Sequence, residues 1–287
     1  MLHYPADLHN RFKGMNFLQR HAYGMGAGFA SLLWLFMRRR RRIAVENVLA
    51  CGIVDDIAEA RRIAKASFGH LAGHVCEALC VPGVVDAANW RGHLDVESEA
   101  APEAVKLLLE SPGTPIILAS AHHGVWEAAT NILSFARPMI AVARVQNNRF
   151  VASWMKKHHF RGPVTVIDKR HGFTPGIMKQ WRDTCAAMTI LMDQHASKGL
   201  KLSFLGRPAR TFTTVARLAI RTGFPVVVGS FVRVAPYRYR LVGGAPLRFG
   251  RGDDLAAATQ LLNDRLSDAI RRYPEQYLWA HRRWRDG

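Results

Sequence analysis

The spacing of apolar residues divides the chain into a helical first part and a mixed second part. Between residues 43 and 79, apolar side chains recur at intervals of three and four, Ile57, Ile63 and Phe68 among them. This period predicts amphipathic helices. Asp55 and Asp56 are placed to cap the second of these helices, and a Pro-Gly pair at 82–83 ends it. A further helical element is predicted over residues 17–37.

Beyond Gly113 the pattern changes to short β-branched runs that alternate with helical windows. The predicted strands are residues 115–121, 139–144, 164–169, 188–192 and 225–233, and the predicted helices are 126–136, 149–160, 174–182, 213–222 and 254–272. Strands that are apolar nearly throughout, separated by helices, are typical of a parallel sheet covered on both faces. The predicted fold class is therefore α/β, a mostly parallel sheet flanked by helices, with a helical N-terminal extension. We divide the chain into this membrane-facing extension (1–80) and an α/β domain (81–287) within one continuous structural unit.

Composition narrows the class of protein and raises the question of an anionic partner. With 49% apolar residues the chain is too hydrophobic for a disordered protein, and its four cysteines form no Cys-x-x-Cys pair. We therefore expect reduced thiols in a cytoplasmic protein. The net charge of +18 suits nucleic acid, a membrane surface or an acidic substrate. No nucleic-acid-binding motif accompanies the charge, so we expect no nucleic-acid partner.

Five consecutive arginines, residues 38–42, directly follow an apolar stretch over residues 22–37. As a helix these 16 residues would span roughly 24 Å, short of the ~30 Å hydrocarbon core of a bilayer. We interpret the segment as a helix that lies on a membrane surface with its arginines at the headgroup level. The alternative is a core helix followed by a solvated basic turn.

The segment HHGVWE at 122–127 is the strongest candidate for chemistry, because it follows an apolar strand and precedes a helix. Ligands of parallel α/β sheets bind at the carboxyl ends of the strands. With His122 in the turn and Glu127 in the first helical turn, the two side chains can meet. A carboxylate on one imidazole nitrogen fixes the tautomer and leaves the other nitrogen as a general base. Two alternatives remain at this point: His122 is a structural residue, or His123 is the base.

A second group of polar residues has the spacing of metal ligands on one helix. It consists of His70, His74, Cys76 and Cys80. Zinc sites of this style usually add ligands from elsewhere in the chain. We read the group as a helix face of mixed burial, and we expect no metal and no cofactor.

Several motifs together carry a resemblance to a known family. HHGVWE is similar to the HFGNWE-type motif of the lipid A biosynthesis acyltransferases, the lauroyl/myristoyl transferase family, which also includes phosphatidylinositol mannoside acyltransferases. Further segments resemble the same family in collinear order over roughly residues 30 to 285. They are RRRRRIAVENVL at 38–49, MDQ at 192–194, FLGRPA at 204–209 and PEQYLWAHRRW at 274–284.

The resemblance implies a glycerolipid acyltransferase-like fold and an O-acyltransferase reaction. An acyl chain would pass from an acyl carrier protein or CoA thioester to a hydroxyl of a lipid A precursor or similar anionic glycolipid. The implied site is the cytoplasmic face of the bacterial inner membrane, with peripheral or monotopic attachment. Two alternatives are another lipid acceptor, such as a phosphatidylinositol mannoside or lysolipid, and a non-catalytic basic lipid-binding protein on the same fold.

The resemblance also implies roles for individual residues. His122 would deprotonate the acceptor hydroxyl, Glu127 would orient His122, and no acyl-enzyme would form. Arg144 would contact the oxyanion or a phosphate. Asp193 would hold a basic partner or loop, with Arg144 and Arg233 as candidates for that partner. Arg233 and His123 complete the predicted substrate-binding residues.

Overall fold

The computed structural model describes residues 15–95, 101–143, 163–168, 170 and 172–285. Within these ranges the chain forms eight α-helices. They are α1 (Phe17–Phe36), α2 (Arg38–Ala50), α3 (Ile57–Cys80), α4 (Pro102–Leu109), α5 (Trp126–Leu133), α6 (Pro175–Thr184), α7 (Thr214–Thr222) and α8 (Leu255–Arg272). Asp56 caps α3 as predicted, since its carboxylate accepts a hydrogen bond of 2.7 Å from the Glu59 N–H.

Seven strands form the central sheet, in the order β1-β9-β8-β2-β5-β3-β4. All neighbouring pairs in this sheet are parallel except β8 and β9, which are antiparallel. Strands β6 and β7 pair separately as an antiparallel hairpin. The strands are β1 (Leu94–Asp95), β2 (Ile116–Ser120), β3 (Met139–Ala143), β4 (Val164–Asp168), β5 (Ala187–Leu191), β6 (Leu200–Phe204), β7 (Arg207–Thr211), β8 (Val226–Ala235) and β9 (Arg238–Gly243).

Helices cover both faces of the sheet, which is why its strands are apolar nearly throughout. Alternate residues of β2 point to opposite faces, so Ile117 joins a core with α2, α3, α6, α7 and α8. Ile116 and Leu118 join a second core with α4 and α5. The first core also contains Val48, so the N-terminal helices share buried surface with the sheet.

The predicted α/β class with a mostly parallel sheet and an N-terminal helical segment is confirmed. All five predicted strands are present as β2, β3, β4, β5 and β8. The helix predicted over residues 149–160 lies outside the described residues. Strands β1, β6, β7 and β9 were not predicted, and the division at residue 80 stays a prediction.

Helix α1 packs one face on α3 and exposes the other. The packed face has small residues at Ala22, Gly26 and Ala30 and ends in Trp34. A Cβ added at Gly26 would lie 2.5 Å from the Ala72 carbonyl oxygen, so the two backbones approach closely there. The exposed face carries large apolar side chains at helical spacing, namely Leu18, Met25, Phe29, Leu32 and Phe36. Among the described residues, no helix is both long and apolar enough to cross a bilayer.

Candidate active site

The turn between β2 and α5 carries His122 and His123, and its backbone is held on two sides. Gly124 has a φ of +69°, and a Cβ at this position would lie 1.9 Å from the Phe231 carbonyl oxygen in β8, so only glycine fits. The Val125 N–H donates to that same oxygen at 2.7 Å. From the C-terminal segment, the Leu278 N–H donates to the His122 carbonyl at 3.0 Å. The turn is therefore fixed by the neighbouring strand and by the end of the chain.

Helix α3 holds the same turn through His70. The Nε2 of His70 lies 2.9 Å from the Gly124 carbonyl oxygen, and its Nδ1 lies 3.1 Å from the Tyr23 hydroxyl of α1. Because the carbonyl only accepts, Nε2 carries the proton and Nδ1 accepts from Tyr23. Burial lowers the pKa of His70 to about 4, which keeps the ring neutral. The N-terminal helices are thus hydrogen-bonded directly to the turn that carries His122.

His122 and Asp193 form a hydrogen-bonded pair. The Nδ1 of His122 lies 2.8 Å from the Oδ1 of Asp193, and the two side chains are 20% and 3% exposed. Asp193 follows β5, the immediate neighbour of β2 in the sheet, so the ends of the two strands bring the residues together. The sheet order therefore explains a contact between residues that are 71 positions apart.

The hydrogen bonds around His122 determine its tautomer. The Nε2 of the Gln194 amide lies 3.2 Å from the Nε2 of His122, and an amide nitrogen can only donate. Nε2 of His122 must then accept, so Nδ1 carries the proton and donates to Asp193. Nε2 is the nitrogen with a lone pair, as a general base requires. The Trp126 ring packs against the imidazole with ring centroids 5.2 Å apart.

Asp193 remains ionised because of its partners. Burial raises the pKa of its carboxyl, but the charge and hydrogen bonds of His122 and the charge of Arg283 outweigh burial, so the pKa lies below its usual value. Arg283 is almost fully buried and donates to the Gln194 carbonyl at 3.0 Å and to the Thr211 hydroxyl at 2.7 Å. Arg283 thereby holds in place the loop that presents both Asp193 and Gln194.

The structure differs from the predicted pairing of His122 with Glu127. The carboxylate on Nδ1 belongs to Asp193, and Glu127 lies in the first turn of α5, half-buried. A role for Glu127 in orienting His122 stays a prediction. Spacing within one motif pointed to the nearer carboxylate, whereas the order of the strands supplies the more distant one.

His123 lies inside the protein. It is fully buried, its Nε2 donates to the Tyr273 carbonyl at 3.0 Å, and burial lowers its pKa to about 4. An alternative base needs a nitrogen that substrate can reach, and His123 is 0% exposed. Substrate binding by His123 stays a prediction. Its burial argues against direct contact with a substrate.

The predicted arginines lie elsewhere or outside the described residues. Arg233 forms a buried ion pair with Glu77 of α3, with contacts of 2.9 to 3.1 Å, and its guanidinium lies 3.8 Å from the centroid of the Tyr23 ring. Among the described residues, Arg283 is the arginine whose charge acts on Asp193, and a pairing of Asp193 with Arg144 or Arg233 stays a prediction. Arg144 lies outside the described residues. The substrate-binding roles of Arg144 and Arg233 stay predictions.

Sequence reasoning missed two residues of this site. Gln194 and Arg283 were noted only as parts of the motifs at 192–194 and 274–284. The signal for Gln194 was its position after a buried strand, where polar residues gather at the carboxyl edge of the sheet. Within the described residues, no group of three or more His, Cys, Asp or Glu side chains is arranged to hold a metal ion.

Comparison with protein-family models identifies a family. A family model described as bacterial lipid A biosynthesis acyltransferase matches residues 17–286. The matched range includes α1, the turn with His122, the loop with Asp193 and the C-terminal segment. A search of curated proteins found no significant match to this chain.

Proposed function

Because the chain belongs to the bacterial lipid A biosynthesis acyltransferase family, we propose that it transfers an acyl chain from an acyl carrier protein or CoA thioester to a hydroxyl of a lipid A precursor or similar anionic glycolipid. The observation that carries the proposal is the pair of His122 and Asp193, with a lone pair on Nε2 of His122.

In the proposed reaction, Nε2 of His122 takes the proton of the acceptor hydroxyl as its oxygen attacks the thioester carbonyl. The carbonyl π electrons move to the oxygen and form a tetrahedral oxyanion. When the oxyanion collapses, the carbon–sulfur bond breaks and the thiolate takes the proton from the imidazolium. No acyl-enzyme forms, because the acceptor itself is the nucleophile. Asp193 stabilises the imidazolium between the two proton transfers.

Gln194 has a place in the same proposal. Its amide lies on Nε2 of His122, the nitrogen that takes the proton in the proposed reaction, so we propose that the amide gives way to the acceptor hydroxyl. Following the family resemblance, we include Arg144 as a contact to the oxyanion or a phosphate. We propose that Glu127, in the first turn of α5, is a second carboxylate of the site and orients His122 without bonding to its Nδ1.

We also propose that the protein lies on the cytoplasmic surface of the inner membrane through α1. The exposed apolar face of α1 supports attachment, and residues 38–42 follow it directly with five arginines. A basic run beside an apolar helix face adds attraction to an anionic leaflet.

The test is a purified His122→Ala variant in an acyl-transfer assay. Acyl carrier protein and CoA thioesters are each supplied with a lipid A precursor, a phosphatidylinositol mannoside or a lysolipid, and mass spectrometry records the acyl gain. We expect a fall in kcat of about 10²- to 10⁴-fold, the usual contribution of a general base. Added imidazole should restore part of the rate, and circular dichroism should show that the variant is folded, although loss of the Asp193 hydrogen bond lowers its thermal unfolding midpoint. Wild-type turnover by the variant would reject His122 as the base, and no transfer by the wild-type protein to any acceptor would favour a non-catalytic lipid-binding protein.

A further inference from the structure

A groove of about 300 Å³ lies between α2 and the C-terminal segment, outside the pair of His122 and Asp193. Its lining is strongly basic, with five guanidinium groups and one carboxylate. The arginines are Arg39, Arg42, Arg207, Arg282 and Arg285, and the carboxylate is Glu46. We infer that this arginine groove binds a phosphate group of the lipid acceptor. The inference rests on the proposed function, and it adds a binding site to it.

Arg207 is fixed at the base of the arginine groove. Its Nη1 donates to the Oδ1 of Asn47 at 3.4 Å, and its guanidinium lies 5.1 Å from the centroid of the Trp284 ring. Asn47 is itself held, since its Nδ2 donates to the carbonyls of Trp279 and His281 at 2.9 and 3.1 Å. A guanidinium oriented in this way presents its remaining N–H groups without further loss of side-chain freedom.

The charges of the arginine groove favour a phosphate over a neutral ligand. Glu46 pairs with Arg42 at 3.4 Å in an exposed contact, so one carboxylate faces five guanidinium groups. Like charges that converge on one cavity repel each other, and an anion in the cavity removes this repulsion. Arginine binds phosphate oxygens through two parallel N–H donors, which suits this cavity better than a diffuse anionic surface would.

The position of the arginine groove favours a lipid headgroup as the source of the phosphate. One wall, α2, begins at Arg38, immediately after the exposed apolar residues Phe36 and Met37. The other wall is the segment whose Leu278 N–H donates to the His122 carbonyl and whose Arg283 donates to the Gln194 carbonyl. One wall of the groove thus continues from the exposed apolar end of α1, and the other belongs to the segment that contacts the turn with His122, which suits an amphipathic acceptor.

The size of the arginine groove points in the same direction. A volume of about 300 Å³ is that of a small-molecule pocket, whereas a carrier protein binds to a broad surface. Arg39, Arg282 and Arg285 are exposed at the rim of the groove, so a phosphate can reach the buried side of Arg207 from solvent.

The experiment measures binding by calorimetry, without acyl transfer. Dihexanoyl phosphatidic acid is the phosphate monoester probe, with dihexanoyl phosphatidylcholine and inorganic phosphate as comparison ligands. We expect the wild-type protein to bind phosphatidic acid at least tenfold more tightly than either. Equal affinity for inorganic phosphate would overturn the lipid source, and equal affinity for phosphatidylcholine would overturn the phosphate preference.

Three variants locate the site. Arg39→Gln with Arg282→Gln removes one exposed guanidinium from each wall, and Arg207→Gln removes the fixed one. A hydrogen bond to a charged group contributes enough binding energy for about a tenfold change in affinity. Both groove variants should therefore weaken phosphatidic acid binding by that factor or more. Arg248→Gln with Arg251→Gln removes the same charge from exposed positions outside the groove and should change binding less than about twofold.

If the groove and control variants lost affinity for phosphatidic acid equally, the proposed site would be wrong, because the protein would then attract the ligand by its overall charge only. Loss of binding to an acidic acyl carrier protein, with phosphatidic acid binding unchanged, would assign the groove to the carrier instead. His122→Ala should bind phosphatidic acid as the wild type does. A failure of the groove and a failure of the proposed reaction are therefore distinguishable, since binding tests one and turnover tests the other.

Discussion

Replacing Asp193 with Asn tests the carboxylate that the structure puts on His122. The Nδ1–Oδ1 distance is 2.8 Å and the carboxylate is 3% exposed, so water screens the pair weakly. Unit charges about 4 Å apart interact by about 4 kcal/mol at the effective dielectric constant of about 20 that suits proteins. This attraction is absent before the imidazolium forms and present afterwards. Asp193→Asn should therefore lower kcat by about 10³-fold.

The assay compares kcat and KM of three variants that each lose one carboxylate charge. Asp183→Asn is the control, because Asp183 makes an exposed ion pair with Lys179 on α6 and should keep wild-type kcat. Glu127→Gln should lose less kcat than Asp193→Asn, because Nδ1 of His122 keeps its partner. A folded Asp193→Asn protein with kcat within tenfold of wild type would refute the assignment. So would an inactive Glu127→Gln beside an active Asp193→Asn.

Three further predictions follow from burial and backbone geometry. Gly124→Ala puts a Cβ 1.9 Å from the Phe231 carbonyl at a φ of +69°, so urea unfolding should show a loss of about 2–5 kcal/mol, and wild-type stability would contradict the geometry. His70 and His123 have folded pKa values of about 4, below the ordinary 6.5, so their stabilisation is complete above pH 6.5 and is lost as pH falls towards 4. Urea unfolding should show a loss of about 3–4 kcal/mol from the pair between pH 7 and pH 5, and about half that in His70→Gln. Phe29→Glu with Leu32→Glu should weaken binding to phosphatidylethanolamine–phosphatidylglycerol vesicles at least tenfold, whereas Leu261→Glu on α8 should not.

The sequence was sufficient to predict the strands that contain an apolar run but not the strands that lack one. Strands β2, β5 and β8 are mostly buried, and all five predicted strands carry apolar or β-branched runs, so their pattern is local. Strand β6 is mostly exposed and β7 begins with an arginine and a proline, so neither has an apolar run to indicate it. Strand β9 alternates arginine with tyrosine and leucine at one side of the sheet, where its arginines reach solvent. Hydrogen bonding to β8 stabilises β9 as a strand, although its own residues have no clear strand pattern.

The site was predictable in position but not in its partners. A histidine after a buried strand and before a helix indicated the carboxyl edge of the sheet, and His122 lies there. Its partner depends on which strand neighbours β2, and no local pattern states that β5 does. The family resemblance named Asp193 as a site residue with a basic partner or loop, and the order of the strands is what places Asp193 and Gln194 beside His122.

The structure also changes the meaning of the net charge of +18. Three arginines are largely buried and act as fixed donors within the protein. Arg137 donates to the Leu107 and Thr114 carbonyls, Arg233 pairs with Glu77, and Arg283 holds the Gln194 carbonyl. Each of these guanidinium groups already donates to a partner within the protein, and substrate binding by Arg233 stays a prediction. The arginines of the groove beside α2 form a second set, with one carboxylate among them. Both sets contribute equally, per residue, to the net charge, so the net charge alone does not distinguish the buried arginines from those of the groove. Burial and hydrogen-bond partners distinguish the two sets, and the proposed phosphate site uses the less buried set beside α2.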